Sequence, residues 1–305
     1  MSVPIIFFGV DRFPALPLEK LLAGDYDVKA IFAAPDKDAR NGKKIAPIAK
    51  VLGEKHGVPV FQPEKGREIL PILQEIESSD WYKELVARGE KPLGVLVSYG
   101  KIIPAAVLDW FAPMPIMNIH PSLLPKYRGS SPVESAILNG DTETGVSIIK
   151  LVPEMDTGEV LAVQTIEVAT DETSSSLYDK VAETGWKMVE ELISQIVASA
   201  DPIAGVAQDH ELATFTPRFE KAEAELTSAQ TATELERKVR AFDVNPKAFF
   251  IHDGVRFTVQ KGFIASSRQT PLDITTADGK FYSPSVITPG GKKQMSVADY
   301  LRGVK

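Results

Sequence analysis

Asn118 and His120 stand two residues apart at the end of an apolar run, in the segment MNIHPSLLPKYRG. Side chains at positions i and i+2 of a β-strand point to the same face of the sheet. A carboxamide placed there can donate a hydrogen bond to an oxygen that gains charge, and an imidazole beside it can accept or pass on a proton. The alternative is that both side chains only form hydrogen bonds with backbone groups where the strand ends. The N-x-H pattern by itself favours this structural alternative.

A third chemically capable residue, Asp156, lies in the turn PEMDTGEV, which Gly158 ends. An aspartate in a turn usually caps its own backbone. Considered alone, Asp156 is interpreted as such a structural residue. An Asn, a His and an Asp at separate loop ends of one sheet are more suggestive, because a carboxylate near an imidazole orients it. We therefore treat the three as a candidate catalytic set, although chain order does not show that they meet.

Other catalytic classes are poorly represented. The chain has no cysteine, which excludes disulfides and thiolate catalysis, and its four histidines are scattered, so no metal site is expected. The segment FFGVDRF has a single glycine after the first apolar run, and neither a Walker A sequence nor a G-x-S-x-G elbow occurs. Nucleotide binding and serine hydrolysis are therefore disfavoured.

The first two thirds of the chain alternate strand-like and helix-like segments, which predicts a parallel sheet covered by helices on both faces. The predicted strands are 3–9, 27–34, 59–63, 93–100 and 114–120, with helices at 16–24 and 46–57. Two further strands, 145–152 and 158–168, are close enough to pair as a hairpin, and a long helix is predicted over 174–199. Asn118 and His120 then lie at the carboxyl edge of the sheet, where open α/β sheets bind ligands.

The remainder of the chain has a different character. Residues 206–225 contain proline and charge without an apolar period, which indicates a linker between a domain at 1–205 and a second one at 226–305. In the second domain a helix at 231–242 precedes short strands broken by Gly and Pro, which is typical of a small β-barrel or sandwich.

Composition sets the broad class. The 305 residues are 44% hydrophobic and 25% charged, as in ordinary globular proteins, and the length favours two domains. The net charge is −7, but residues 206–305 carry +2 and the first 205 carry −9, so a local polyanion contact is permitted. The amino-terminal segment MSVPIIFFGV has no basic leader and is too short to cross a membrane, so a cytoplasmic protein is expected.

Two basic turns could make a local contact with a polyanion. The loop PDKDARNGKKIAP at 35–47 contains Arg40, Lys43 and Lys44, and the turn PGGKKQMS at 289–296 contains Lys292 and Lys293. Each can be a solvated loop or a site that binds nucleic-acid phosphates. Composition alone favours the solvated loop.

The run at 118–161 closely resembles the core of the 10-formyltetrahydrofolate-dependent formyltransferases. The shared features are the N-x-H pair, the S-L-L-P-x-Y/W-R-G run, the G-D-x-x-T-G-V segment and the D-T-G turn. The segments 35–63 and 241–296 are similar to those members whose acceptor is the methionyl initiator tRNA. The resemblance implies a Rossmann-like, mostly parallel α/β domain followed by an OB-type β-barrel. The implied reaction transfers the formyl group of 10-formyltetrahydrofolate to the methionine α-amino group. A monomer is expected.

The resemblance also implies roles for particular residues. Asn118 and His120 would hold the formyl carbonyl, and Asp156 would orient His120 or a water molecule. The implied folate contacts are Ser122, Leu123, Leu124, Pro125, Tyr99, Gly100 and Met155. The implied tRNA contacts are Arg40, Lys43, Lys44, Lys292 and Lys293, and no metal is implied.

The chain departs from the family pattern in three places. GVDRFPA replaces the usual G-T-P-x-F-A, residues 64–92 form a longer stretch, and EKAEAELTS lacks the usual Asp-Trp. Rival functions are a sugar-nucleotide N-formyltransferase, a formyltetrahydrofolate hydrolase and a non-catalytic RNA-binding protein. The basic turns favour tRNA over a sugar nucleotide, a hydrolase does not need residues 206–305, and a binding protein has no use for the catalytic set.

Overall fold

The structure is a computed structural model that describes residues 3–9, 15–38, 43–199 and 201–303. The chain divides into two compact units. The first comprises Met1–Arg128, Gly145–Ile166 and Asp179–Thr214, and the second comprises Gly129–Thr144, Glu167–Tyr178 and Phe215–Lys305. Because the chain passes between the units several times, each of them is built from segments that are distant in sequence.

The helices and strands follow the apolar runs of the sequence. Up to the end of the main sheet they are β1 Pro4–Gly9, α1 Ala15–Ala23, β2 Asp27–Phe32, β3 Lys37–Asp38, β4 Lys44–Ile45, α2 Ile48–Lys55, β5 Val60–Phe61, α3 Ile69–Ile76, α4 Asp80–Ala87, β6 Leu93–Val97, α5 Ala105–Phe111, β7 Ile116–His120, β8 Arg128–Gly129, α6 Pro132–Asn139, β9 Glu143–Lys150 and β10 Val160–Glu167. After it come α7 Ser174–Ser199, β11 Phe215–Thr216, α8 Ala232–Ala241, β12 Phe249–His252, β13 Val255–Ala265, β14 Ile274–Thr275, β15 Phe281–Pro289, β16 Met295–Ser296 and α9 Val297–Gly303.

Within the described residues, the main sheet has seven strands in the order β10-β9-β7-β6-β1-β2-β5. The pairs β7–β6, β6–β1, β1–β2 and β2–β5 are parallel, and β9 pairs with β7 in the antiparallel direction. The chain builds β2 and β5 on one side of β1 and then returns to build β6 and β7 on the other. This reversal opens a crevice at the carboxyl ends of the strands, where α/β folds bind ligands. The predicted mostly parallel sheet is confirmed.

Helices bury both faces of this sheet. On one face, Phe8, Phe32, Phe111 and Ile116 belong to a core that α3 and α5 cover. On the other face, α7 comes so close to β7 that a Cβ at Gly185 would lie 2.6 Å from Ile119 Cγ2. Strands covered on both faces need continuous apolar sequence, which explains the unbroken runs in the sequence.

The second unit contains a curled antiparallel sheet in the order β12-β13-β15-β14, with β16 also paired to β15. Register shifts between Val259 and Lys261 and between Lys261 and Gly262 bend β13. Helix α8 packs on this sheet and buries Leu235 and Val239. The expected small OB-like β domain is therefore present as a curled half-barrel.

Most predicted elements are present with shorter bounds. The predicted strand 59–63 contracts to Val60–Phe61, and the long helix is found over Ser174–Ser199 as expected. The stretch 64–92 contains α3 and α4, which were not predicted. No helix in the described part of the chain is long and apolar enough to span a membrane.

Candidate active site

Strand β7 places both members of the N-x-H pair. Because successive side chains alternate across the sheet, Ile119 faces α7 while Asn118 and His120 share the opposite face. Asn118 lies beside Leu96 of β6, near the end of that strand. Both polar side chains are buried, with 7% of Asn118 and 4% of His120 exposed. The carboxyl end of β7 thus carries a buried amide beside a buried imidazole.

The imidazole of His120 lies between two protein oxygens. Its Nε2 is 3.0 Å from the carbonyl oxygen of Tyr127, and its Nδ1 is 3.6 Å from Oδ1 of Asp156. A carbonyl oxygen only accepts hydrogen bonds, so Nε2 carries a proton, and Nδ1 is the ring nitrogen that faces Asp156. The structure thus brings His120 and Asp156 together, as the candidate catalytic set requires.

The turn that carries Asp156 has little freedom. Asp156 has a φ of 55°, a left-handed conformation that is uncommon for a residue with a side chain. A Cβ on Gly158 would lie 1.8 Å from the carbonyl oxygen of Lys150, so only glycine fits there. The D-T-G sequence therefore reflects a close approach between this turn and the end of β9.

The carboxamide of Asn118 forms no side-chain hydrogen bond with another residue in the described ranges. It is held by β7 backbone pairing with Leu96 and Ile149 on the two neighbouring strands. A carboxamide in this setting can donate two hydrogen bonds to a ligand without breaking a contact of the protein.

The segment after β7 is folded by its own hydrogen bonds. The hydroxyl of buried Ser122 donates to the carbonyl of Lys126, and the hydroxyl of Ser147 donates to the carbonyl of Ser122. Leu123 packs against Gly145, where a Cβ would lie 2.3 Å from the leucine Cδ2. The Ser122 hydroxyl therefore shapes this loop, and the half-buried Leu123 and Leu124 and the Leu124–Pro125 cis peptide complete it.

The loop after β6 runs along the same edge. Ser98 and Gly100 have φ values of 48° and 70°, so the chain turns sharply between them. The ring of Tyr99 packs edge-on against Phe8 in the core, and burial raises the pKa of its hydroxyl well above its usual value. A ligand at this edge would therefore meet the backbone of residues 98–100 and not the phenol, whereas Met155 in the turn of Asp156 is 62% exposed.

The basic residues of the two turns lie in different units. Lys44 is exposed in β4, which pairs with β3, and its Nζ is 3.8 Å from Oδ1 of Asp38. Lys43 is exposed beside it, and Arg40 lies outside the described residues. In the second unit Lys292 stacks over the ring of Tyr300 at 5.3 Å, and Lys293 is exposed.

The start of the 35–47 loop is anchored by Asp36. Its carboxylate accepts from Gln62 Nε2 at 2.8 Å and from Lys50 Nζ at 3.0 Å. These donors hold the pKa of Asp36 below its ordinary value, the Gln62 hydrogen bond being the larger cause. The loop therefore leaves the sheet from a fixed point.

The sequence analysis assigned no role to three residues that contact one another beside the turn of Asp156, namely Arg128, Gln208 and His210. Both Arg128 Nε and Nη2 donate to Gln208 Oε1, at 3.1 and 2.6 Å, and Nη2 also donates to His210 Nδ1 at 3.2 Å. Gln208 Nε2 in turn donates to the carbonyl oxygens of Asp156 and Gly158, both at 2.8 Å. Arg128 had a signal in the sequence, since it belongs to the Y-R-G run. Gln208 and His210 had none, because they lie in the segment predicted as a linker.

Comparison with known proteins identifies the class. The formyl transferase family matches residues 3–193, and its C-terminal domain matches residues 218–305. A mostly parallel sheet carries Asn118 and His120 near the carboxyl end of β7, and Asp156 lies beside His120. Together with this geometry, the match defines the class of protein. The chain belongs to the formyl transferase family.

Two curated relatives narrow the comparison to one kind of formyl transferase. Methionyl-tRNA formyltransferase of Desulfotalea psychrophila is 36% identical over 100% of this chain and 94% of the relative. The enzyme of the same name from Lactobacillus johnsonii is 31% identical over 98% of this chain and 95% of the relative.

Solved structures of lower identity share the fold. The sugar 3N-formyl transferase WlaRD has a TM-score of 0.67 at 16% identity, covering 96% of this chain and 100% of that chain. Methionyl-tRNA formyltransferase from Clostridium thermocellum has a TM-score of 0.54 at 15% identity, with 96% and 99% covered. HypX from Aquifex aeolicus, solved with tetrahydrofolic acid, has a TM-score of 0.63 at 18% identity, but this chain covers only 47% of it.

Proposed function

We propose that this chain acts as a methionyl-tRNA formyltransferase, moving a formyl group from 10-formyltetrahydrofolate to the α-amino group of methionyl initiator tRNA. The product, formylmethionyl-tRNA, starts translation, and the enzyme would work in the cytoplasm. One observation carries the proposal: Asn118, His120 and Asp156 converge in a chain that matches curated enzymes of this name over its whole length.

The reaction sets clear demands on the site. The amine forms a bond to the formyl carbon, the bond from that carbon to folate N10 breaks, and a proton passes from the amine to N10. Negative charge grows on the formyl oxygen as the amine adds, so the site needs a hydrogen-bond donor for that oxygen and an acceptor for the amine proton. These are the groups that Asn118, His120 and Asp156 provide.

Asn118 is the donor in this proposal. Its carboxamide is buried, projects from a strand that neighbours pair on both sides, and is not engaged by another described side chain. A donor fixed in this way needs no reorganisation as charge develops, which makes its contribution larger than in water.

His120 and Asp156 handle the proton. Tyr127 holds Nε2, so the pair presents Nδ1 and Oδ1, which are 3.6 Å apart. A nitrogen atom can lie at ordinary hydrogen-bond distance, about 2.8 Å, from two atoms with this separation. We place the attacking amine at that point, where it can deliver a proton to the imidazole while the carboxylate stabilises the charge.

The donor's folate would lie along the surface formed by the loops after β6 and β7 and by the turn that carries Asp156. The backbone of Tyr99 and Gly100 offers hydrogen-bonding groups, and Leu123, Leu124, Pro125 and Met155 offer apolar surface. Ser122 supports this role indirectly, because its hydroxyl is committed to Lys126. The chemistry of this set fits a flat ring system with polar edges.

The tRNA would be held by its phosphates. Lys43 and Lys44 are exposed at the base of the 35–47 loop, which also contains Arg40, and Lys292 and Lys293 form the basic turn of the second unit. Flexible cations of this kind give affinity that depends on salt and little on sequence.

The deciding experiment supplies 10-formyltetrahydrofolate with methionyl initiator tRNA, methionyl elongator tRNA or a dTDP-linked amino sugar. We expect formylmethionyl product from initiator tRNA at a catalytic rate and from elongator tRNA much more slowly. The sugar acceptor is included because structures with this fold act on such sugars according to their names. Transfer to the sugar alone, or release of formate without an acceptor, would contradict the proposal.

A further inference from the structure

The two partners of His120 both depend on one short segment of the chain, Gln208–Thr214, which we call the brace. One partner is the Tyr127 carbonyl at Nε2, and the other is the Asp156 carboxylate at Nδ1. Tyr127 and Asp156 have φ values of 62° and 55°, so each is in a left-handed conformation. Such conformations persist only where the surrounding structure imposes them, and they concentrate at functional sites.

The brace imposes the conformation at Tyr127. The Tyr127 N–H donates to Thr214 Oγ1 at 2.8 Å, and the N–H of Arg128 donates to the Thr214 carbonyl, also at 2.8 Å. The Thr214 N–H donates back to the Pro125 carbonyl at 3.2 Å. The chain on both sides of Tyr127 is thereby fixed, and its carbonyl is directed at His120.

The brace also fixes the turn of Asp156. Gln208 is 8% exposed, and its Nε2 donates to the carbonyls of both Asp156 and Gly158. Its Oε1 accepts from Arg128, which is 3% exposed, so the amide cannot rotate without leaving a buried guanidinium without that acceptor. The segment is joined to the sheet just before Gln208, because Val206 and Val160 exchange two backbone hydrogen bonds of 2.8 Å.

We propose that Gln208 is a positioning residue for the reaction, which sets the Asp156 carboxylate at its distance from His120 Nδ1. This inference rests on the proposed function and adds a residue outside the catalytic set. Gln208 does not touch the reacting atoms. It acts through the backbone of the D-T-G turn, and Arg128 fixes which of its amide atoms faces that turn.

The Gln208→Glu substitution isolates this role. The carboxylate keeps an acceptor for Arg128, so the buried guanidinium stays paired and the fold is retained. The substitution removes both N–H donors to the Asp156 and Gly158 carbonyls. A carboxylate oxygen then faces these two carbonyl oxygens and repels them. The matched control is Gln164→Glu, the same change at an exposed position of β10.

We expect Gln208→Glu to lower kcat about tenfold or more, with the KM values for folate donor and tRNA within twofold of wild type. Gln164→Glu should change neither. In an Asp156→Asn background, measured in single turnover, Gln208→Glu should change the rate less than twofold, because the residue through which it acts is already removed. Multiplicative effects in the double variant, or a change in KM alone, would overturn the inference.

A second measurement does not depend on catalysis. Amide hydrogen exchange of residues 154–160 should be faster in Gln208→Glu than in wild type or Gln164→Glu, and unchanged exchange would refute the brace. Wild-type protein that formylates no tRNA while this exchange difference is present would refute the proposed function and leave the brace supported.

Discussion

Two buried clusters with a carboxylate differ in how their polar atoms are satisfied. In the first unit, Asp156 stands 3.6 Å from His120 Nδ1, and the neighbouring Asn118 carboxamide is held without a partner among the described side chains. In the second unit, the hydroxyl of Tyr178 donates to both carboxylate oxygens of Glu134, at 3.0 and 3.1 Å. The first cluster thus keeps the Asn118 carboxamide available for a ligand, whereas in the second cluster the Glu134 carboxylate is used inside the protein.

The second cluster extends to Asp243, which accepts hydrogen bonds from the hydroxyls of Ser174 and Ser175 at the start of α7. Burial raises the pKa of Glu134, and the charge of Asp243 raises it further. We therefore expect burial to serve catalysis in the first cluster and to affect the stability of the fold in the second. Substitutions in the first should change rates with little effect on folding, and substitutions in the second should do the reverse.

The largest expected effect is that of Asn118→Ala. Loss of an oxyanion donor costs about 3–4 kcal/mol in the transition state, so kcat should fall about 10²–10³-fold. The melting temperature should move by no more than about 3 °C, because the amide makes no contact that the fold needs. Steady-state kinetics of formyl transfer measures the fall in kcat, and calorimetry measures the melting temperature. Asn139→Ala, a change at an exposed position, is the control. Full activity in Asn118→Ala would remove the amide from the mechanism.

Gly158→Ala tests whether the chemistry of the first cluster depends on the tight turn that carries Asp156. The added Cβ would meet the Lys150 carbonyl at 1.8 Å, so the turn must move and take Asp156 with it. We expect kcat to fall about tenfold, since a displacement of about 1 Å is costly in a preorganised site. Gly303→Ala, where a Cβ meets nothing within 4 Å, is the control. Equal rates for both variants would show that the turn tolerates movement.

Lys43→Ala combined with Lys44→Ala extends the comparison to the surface of the first unit. Removing two phosphate contacts should raise KM for tRNA about three- to tenfold at low salt and reduce its salt dependence. The kcat value and KM for the folate donor should stay within twofold. Lys83→Ala, an exposed lysine of α4, is the control. An unchanged salt dependence would show that neither lysine contacts tRNA.

The sequence predicts the parts of the molecule that depend on local periodicity. The largely apolar segments predicted as strands at 3–9, 93–100 and 114–120 contain the buried parallel strands β1, β6 and β7, and the spacing of Asn118 and His120 correctly predicts a shared face. Spacing does not show that Asp156 lies at His120, because that contact depends on how an irregular turn folds back. Gln208 was missed for the same reason: its partners are 50 to 80 residues away in sequence, at Gly158 and Arg128.

The smallest expected effect belongs to Glu134→Gln, and it reverses the pattern of Asn118→Ala. The pKa of Glu134 is higher in the folded state than in the unfolded state, so its stabilising contribution is complete at low pH and is lost as pH rises through the folded pKa. Glutamine has the same shape and no charge and still accepts from Tyr178. At pH 8 the variant should therefore melt about 2–5 °C above wild type, with kcat within twofold.

The gain in melting temperature should shrink towards zero as the pH falls to about 4, because the Glu134 carboxyl then becomes protonated in both the folded and the unfolded wild-type protein. Calorimetry from pH 4 to pH 8 measures the trend, and Glu75→Gln, an exposed change in the first unit, should show no comparable slope. A gain of equal size at every pH would mean that ionisation of Glu134 is not its cause. A fall in kcat together with the gain in stability would mean that the second cluster acts on the chemistry of the first.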